Sequence, residues 1–518
     1  LRDSADARRR EGATRSPAEA VLALLPVAAG SPNGPVAHPT GSAAGGNSDS
    51  MDHTYRRRSA LAVAATAATA ICATVAAGVG SSSWRGTGLV GRRTAQVPDI
   101  ADAATHSGSH PPPPSVDTGS LIAAQFGPDE HASRDKMEMI LQGELSLSGI
   151  YYVPGSFAST GEEERSRNSL SPYVKVYGEF CDLDWSPHRD EPTKFPAFVD
   201  IMALSRHCGE HRYSLPLDEV VSAVLAYDAR PDSAPIKSIP VSGLLLNEGR
   251  SGATVVSNAL AVAEPASTRV VSEHPALMDA LQACDKIRNT HGSDNCDPAK
   301  VQSLVRDVVH LLSRTPDPAL ERMYLKLPSA ATAYLGQLRE AFPLAPWAFF
   351  YREANIALAK ATQKKRNACI KQRRSPSEAV RARAFALGLD SLDDLGPQEV
   401  CALHLSALVR TAFTEHETSG TGLLVSYDED LSSNGGRFVP ETVLPYLGVG
   451  SAANPGTEAR GRVDAVLAID AKARDSGRVW DAAAIKADVG IDLSEEIREA
   501  SRTFLQTTMF EISRARAL

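Results

Sequence analysis

The stretch Val241–Leu260 reads VSGLLLNEGRSGATVVSNAL, and the rest of the chain is organised around it. Val241–Leu246 is a short apolar run with the length and β-branched start of a buried strand. A polar turn follows, Asn247-Glu248-Gly249-Arg250-Ser251-Gly252, and then Val255, Val256, Ala259 and Leu260 at helical spacing. Strand, glycine-containing turn and helix together aim free backbone N–H groups at an anion, and the helix dipole adds to the attraction. The segment therefore reads as a phosphate-binding loop, with Arg250 as its cation and Thr254 as a hydroxyl donor; an ordinary βα turn is the alternative. The loop is not GxxxxGK[ST], because Ala253 and not lysine precedes Thr254, and it is neither GxGxxG nor GxSxG.

Outward from this loop the βα rhythm continues. Strands are expected at Arg269–Ser272, Met323–Leu327, Pro346–Tyr351 and Thr421–Tyr427, with helices at Ala276–Ile287 and Ala299–Leu312 and from the Pro328-Ser329 turn to Phe342. Strands separated by helices of 10–20 residues imply a doubly wound parallel sheet, in which ligands bind at the carboxyl ends of the strands. Asn247–Thr254, Glu273, Lys326, Arg352 and Asp428 all fall at that edge. Ahead of the loop, Leu121–Pro240 reads as a small α/β region, with a strand at Tyr173–Phe180 and a helix at Pro216–Tyr227.

Composition narrows the function classes. At 518 residues, 43% hydrophobic and 22% charged, the chain has the make-up of a globular protein with room for two or three domains. A net charge of −8 argues against nucleic acid as the main partner. Seven cysteines without CxxC spacing exclude the common zinc ribbons. Cys181, His188, His207, Cys208 and His211 match no standard zinc spacing, so no metal is expected and a Cys181–Cys208 disulfide is preferred.

The amino-terminal part differs in kind. Residues 1–58 are rich in Ala, Gly, Pro, Ser and Arg and are expected to be disordered. Arg56–Arg58 precede an uncharged, alanine-dominated run at 59–80, which reads as a signal anchor or transmembrane helix of marginal length. An alanine-rich soluble helix or an organellar, plastid-type transit segment is the alternative. Residues 81–120, with Pro111–Pro114, form a flexible linker. The domain plan is completed by 121–240 and 241–518. An anchor at 59–80 would place the domain in an oxidising secretory or Golgi lumen. The pairing that closes the shortest loops there is Cys181–Cys208, Cys284–Cys296 and Cys369–Cys401, one of fifteen connectivities open to six cysteines.

Several stretches resemble the sulfotransferase superfamily. Arg250-Ser251-Gly252-Ala253-Thr254 is similar to that family's 5′-phosphosulfate loop, with Ala253 in place of the first hydroxyl residue. FFYREANIALAKA (Phe349–Ala361) resembles its 3′-phosphate signature. It supplies Arg352 and Glu353, but Ala354 stands where proline is usual and Lys360 where serine is usual. GLLVSYDEDLSS resembles the strand-YEDL element, FVPETVLPYLGV the helix ending in FLGV, and YLKLPSA the internal lysine- and proline-bearing strand without its histidine base. Tyr173–Pro192, containing FCDLDWSPHR, and Pro346–Lys360 also resemble a group of sulfotransferase-like proteins of unicellular eukaryotes.

The resemblance covers roughly Val241–Val449. It implies an α/β, P-loop-like three-layer sandwich with a central parallel sheet, and PAPS (3′-phosphoadenosine 5′-phosphosulfate) as sulfuryl donor. It further implies cofactor binding by Arg250, Ser251, Gly252, Ala253, Thr254, Arg352 and Lys360, with Glu273 and Arg250 catalytic. Glu248 is the rival base, and His274 is expected at the surface. The acceptor stays open among carbohydrate, peptide tyrosine, lipid and small alcohol. A degenerate nucleotide-binding protein of the same fold, or a P-loop NTPase or kinase relative, is the other reading.

Overall fold

The five central strands are apolar on both faces because both faces are covered. The structure, a computed structural model, describes residues 130–154, 174–205, 208–209, 212–230, 236–291, 296–363, 368–433, 436–471 and 493–516. The expected disordered, anchor and linker segments (1–58, 59–80 and 81–120), together with His207 and His211, lie outside these residues. Among the described residues no helix is long and apolar enough to cross a membrane.

Among the described residues ten strands occur, β1 (Ser146–Pro154), β2 (Val174–Cys181), β3 (Tyr213–Pro216), β4 (Lys237–Ser238), β5 (Val241–Asn247), β6 (Thr268–Ser272), β7 (Arg314–Thr315), β8 (Arg322–Lys326), β9 (Trp347–Tyr351) and β10 (Leu423–Ser426). Strands β5, β6, β8, β9 and β10 form one parallel sheet in the order β10-β9-β5-β8-β6, with β5 at its centre. From β5 the chain crosses to the β6 edge, returns to fill the gap with β8, and then moves to the other side with β9 and β10. The loop after β5 therefore sits where the winding changes direction, the usual ligand crevice of such sheets.

The period of two along each strand divides the core into two layers. Leu244, Leu246, Val271, Met323, Leu325, Trp347, Phe349 and Leu424 belong to one apolar cluster. Their neighbours Leu245, Val270, Tyr324, Ala348, Phe350 and Val425 belong to the other. A sheet buried on both faces needs continuous apolar runs, which is how LLL and WAFFY read in the sequence. The fold class is thus α/β with a central five-stranded parallel sheet, as expected.

On the second face lies helix α1 (Ala253–Ala263), whose alanines allow it to sit tightly on the sheet. The first face carries α2 (Pro275–Leu281), α3 (Pro298–Ser313), α4 (Ala354–Thr362) and the long α5 (Pro397–Ser419). The antiparallel sheet β1-β2-β3 packs into this same cluster through Leu147, Ile150, Val174, Val176 and Phe180.

Two local expectations are corrected. The helix expected across Ala276–Ile287 is broken at Gln282, ending one helix at Leu281 and starting another at Ala283. His274 is buried, not at the surface. Its Nδ1 accepts the Ala276 amide at 3.1 Å, and its Nε2 lies 3.0 Å from the Leu147 carbonyl, so it caps α2 and ties that helix to β1. Burial lowers its pKa to about 3, leaving it neutral.

The three expected disulfides are present. Cys181–Cys208, Cys284–Cys296 and Cys369–Cys401 have Cα separations of 5.0, 5.3 and 4.8 Å.

Candidate functional site

At the carboxyl edge of the sheet, a cavity of about 480 Å³ is lined by the loop Gly249–Thr254 and by Glu273, Lys326, Arg352 and Lys360. Every residue that the sequence reading assigned to catalysis or cofactor binding lines this one space. Asn247, Val255, Pro328, Ser329, Tyr427, Asp470 and Ala471 complete it.

The loop has an unusual backbone. Gly249 (φ +104°), Arg250 (φ +56°) and Gly252 (φ +92°) all adopt the left-handed region. Gly252 is the N-cap of α1 and has no side chain to cover the helix's first amides, which stay open to an anion. A Cβ at Gly252 would lie 2.5 Å from Leu431 Cδ1 and 2.9 Å from Tyr427 Cδ2. The YDEDL stretch after β10 is therefore packed directly on the loop. Asn247 Nδ2 donates to the Leu327 carbonyl at 2.9 Å and so joins the ends of β5 and β8.

Ser251 holds the loop rather than presenting its hydroxyl. Its Oγ donates to the Phe350 carbonyl at 2.7 Å, and the side chain is buried. With the hydroxyl so engaged, the backbone of Ser251 is the part left for a ligand. Thr254 lines the cavity from the first turn of α1.

Arg352 is one of two buried cations of the site, with Lys326, and is 4% exposed. Its Nη2 donates to Asp428 Oδ1 at 3.2 Å, Nη1 reaches the Arg250 carbonyl at 3.5 Å, and the guanidinium lies 4.6 Å from the Tyr427 ring centroid. Its Nε has no partner among the described residues. Glu353, next in sequence, is the N-cap of α4 and accepts from the Asn355 and Ile356 amides. Lys360 follows two turns along α4 and lines the same cavity.

The two glutamates separate cleanly. Glu248 is buried and does not line the cavity. Its Oε1 accepts the Arg352 amide at 2.8 Å while Oε2 has no partner among the described residues. Burial raises its pKa well above the usual carboxylate value, with the Arg352 amide and charge opposing the shift. Glu273 lines the cavity, with its side chain 43% exposed, and forms an ion pair with Lys326, which is itself buried. Glu273 also holds a left-handed backbone, φ +57°, in a residue type that rarely adopts it.

Lys326, Asp428 and Asn247 fall at the edge foreseen from the sequence, but nothing there assigns them a part. Tyr427 and Ser329 were not foreseen; each follows a strand end within a few residues, the one signal that would have found them. Among the described residues no group of three or more His, Cys, Asp or Glu could hold a metal ion.

No family model matches the chain, and no curated protein matches it. Several solved structures are similar to it, three of which follow. Sulfotransferase STF9 from Mycobacterium avium aligns with a TM-score of 0.30 and 14% identity, over 56% of this chain and 81% of that one. The sulfotransferase domain of the curacin biosynthetic pathway aligns at 0.26 and 13%, over 54% and 98%. The sulfotransferase domain of the Synechococcus PCC 7002 olefin synthase aligns at 0.28 and 15%, over 56% and 97%.

Proposed function

We propose that the cavity binds PAPS and that the protein transfers its sulfuryl group to a hydroxyl or amine acceptor. The observation that carries this reading is Arg352, buried and held by Asp428, with one donor unspent, in the same cavity as the open helix N-terminus at Gly252. A buried guanidinium beside free backbone amides suits an anion with two separated charged groups. The volume lies within the range of small-molecule sites.

When bound, PAPS supplies an activated sulfuryl group on a phosphate leaving group. Arg250 and the amides of 252–254 hold the 5′ side, while Arg352 and Lys360 hold the 3′ side. Preorganised donors of this kind stabilise charge that builds up in the transition state without reorganising. Glu273 takes the acceptor proton, being the one of the two candidate glutamates that lines the cavity. Lys326 orients it through their ion pair. Glu248 has no access to a substrate and serves as a buried strut under the Arg352 amide.

Binding without turnover is the second reading. It is favoured by Ala253 and Ala354 and by the Lys326–Glu273 ion pair, which already engages the carboxylate. The absence of a Walker lysine disfavours an NTPase or kinase. The three disulfides agree with an oxidising compartment.

Thermal unfolding with 3′-phosphoadenosine 5′-phosphate (PAP) and with ATP tests the site. Stabilisation by PAP and not by ATP is expected, and preference for ATP would reject the donor assignment. Turnover of labelled PAPS with an acceptor panel then divides enzyme from binder.

A further inference from the structure

The stretch Phe180–Arg189, FCDLDWSPHR, takes no part in the cavity at the carboxyl edge. It leaves β2 and is pinned at its start by the Cys181–Cys208 disulfide. Asp182, Trp185, His188 and Arg189 instead line a second cavity of about 300 Å³. Thr268 and Arg269, the first two residues of β6, line it from the sheet. Glu273 follows the other end of the same strand, so the two cavities stand about 16 Å apart at a strand rise of ~3.3 Å per residue. A ligand in the second cavity is therefore not the acceptor of the first.

Three buried polar atoms from residues lining this cavity have no partner among the described residues: His188 Nε2, Thr268 Oγ1 and Arg269 Nε. His188 is 3% exposed and Thr268 4%. The Arg269 guanidinium donates to the Leu312 and Arg314 carbonyls, each at 3.2 Å, and lies 4.9 Å from the Trp185 ring centroid. It forms no ion pair with a described carboxylate. Arg314, by contrast, is paired with Asp228 at 2.8 Å. Burial pulls the Arg269 pKa down to about 10, with the charge of Asp317 opposing the shift. Burial also lowers His188 to about 4, so its ring is neutral and carries one donor and one acceptor nitrogen.

The interior thus offers a guanidinium with no direct ion pair among the described residues, a hydroxyl and a neutral imidazole, a donor set for a single carboxylate. The outer lining is mainly acidic: Glu144 and Asp182 are exposed, Asp317 lies beside them, and the exposed cation there, Arg189, is paired with Asp190 at 3.0 Å. Those acids repel phosphates and other multiply charged anions and attract an ammonium group. From this pairing of a cationic interior with an acidic mouth, we propose that the second cavity binds a free α-amino acid. Its carboxylate lies toward Arg269, Thr268 and His188, and its ammonium toward Glu144, Asp182 and Asp317.

The full chain is titrated with each free L-amino acid in turn, at constant ionic strength, while thermal unfolding and tryptophan emission are followed. At least one amino acid is expected to raise the unfolding temperature and to change the emission saturably. Its carboxamide, which lacks the anionic end, should bind at least tenfold more weakly, and Thr268→Val should have a comparable effect through one lost charge-assisted hydrogen bond, about tenfold or more. Trp185→Phe should remove the emission change and keep the thermal shift. No response to any amino acid overturns the proposal, as does equal binding of acid and amide, which needs no variant to observe. PAP affinity is read separately, so the outcome does not depend on the donor assignment.

Discussion

Asp428 holds Arg352 in place: its Oδ1 accepts from Arg352 Nη2 at 3.2 Å, and its Oδ2 accepts the Glu353 amide at 2.7 Å. One carboxylate thereby fixes both the guanidinium and the turn into α4. The pair sits at the base of the proposed donor site, where the cation has few alternatives in rotamer. Arg352→Ala is expected to weaken PAP binding by about 1.5–3 kcal/mol, the worth of a charge-assisted hydrogen bond. Arg250→Ala should cost a similar amount, and Lys360→Ala less, being a single cation on a flexible stem. Asp428→Asn should weaken binding by a smaller amount, because the guanidinium stays but is less well held. Calorimetric titration of PAP checks all four, and wild-type affinity in either arginine variant contradicts the site.

Glu273 combines a cavity-facing carboxylate with a backbone that disfavours its own side chain. If it is the base, Glu273→Gln should leave PAP affinity unchanged and lower turnover by about 10²–10⁴-fold. Glu273→Gly should be equally inactive yet fold more stably than Glu273→Gln, since both leave buried Lys326 without its ion pair and only glycine relieves a left-handed conformation worth about 1–2 kcal/mol. Steady-state rates and chemical denaturation of the two variants separate the catalytic loss from the structural gain. A fully active Glu273→Gln protein would remove the base assignment.

Glu248 makes a prediction about pH. Its folded-state pKa is raised well above the ordinary 4.5, chiefly by burial. Between these two values the folded state holds a proton that the unfolded state has lost. Stability should therefore fall as pH rises above about 4.5 and level off only past the folded-state pKa. Glu248→Gln keeps an oxygen for the Arg352 amide and removes the titration, so its denaturation midpoint should vary less over that range. An identical pH profile in the two proteins would show that Glu248 is ionised in the fold.

The disulfides are open to direct mapping. Peptide analysis of alkylated, unreduced protein should find Cys181–Cys208, Cys284–Cys296 and Cys369–Cys401 bridged. Replacing Cys284 and Cys296 together by serine should cost about 2–4 kcal/mol, the usual effect of losing a bridge of this loop size. Six alkylated thiols would overturn both the pairing and the oxidising compartment.

The local order of the site is legible in the amino-acid sequence. The runs VSGLLL, RVVS, MYLKL and PWAFFY carry the apolar continuity of strands covered on both faces, and Gly249 and Gly252 mark the turn into α1. These signals are local, since periodicity and turn chemistry act within a few residues, and they sufficed to bring Arg250, Thr254, Glu273, Arg352 and Lys360 to one edge. The roles within that edge were decided only by the tertiary structure. Glu248 and Glu273 are equally polar residues that follow strands, yet one is sealed under Arg352 and the other opens on the cavity. Ser251 turns its hydroxyl to a carbonyl on β9, and His274 turns inward to cap α2. Asp428 meets Arg352 from 76 positions away. Burial and pairing of a polar side chain depend on which distant segments pack against it, so no local pattern records them.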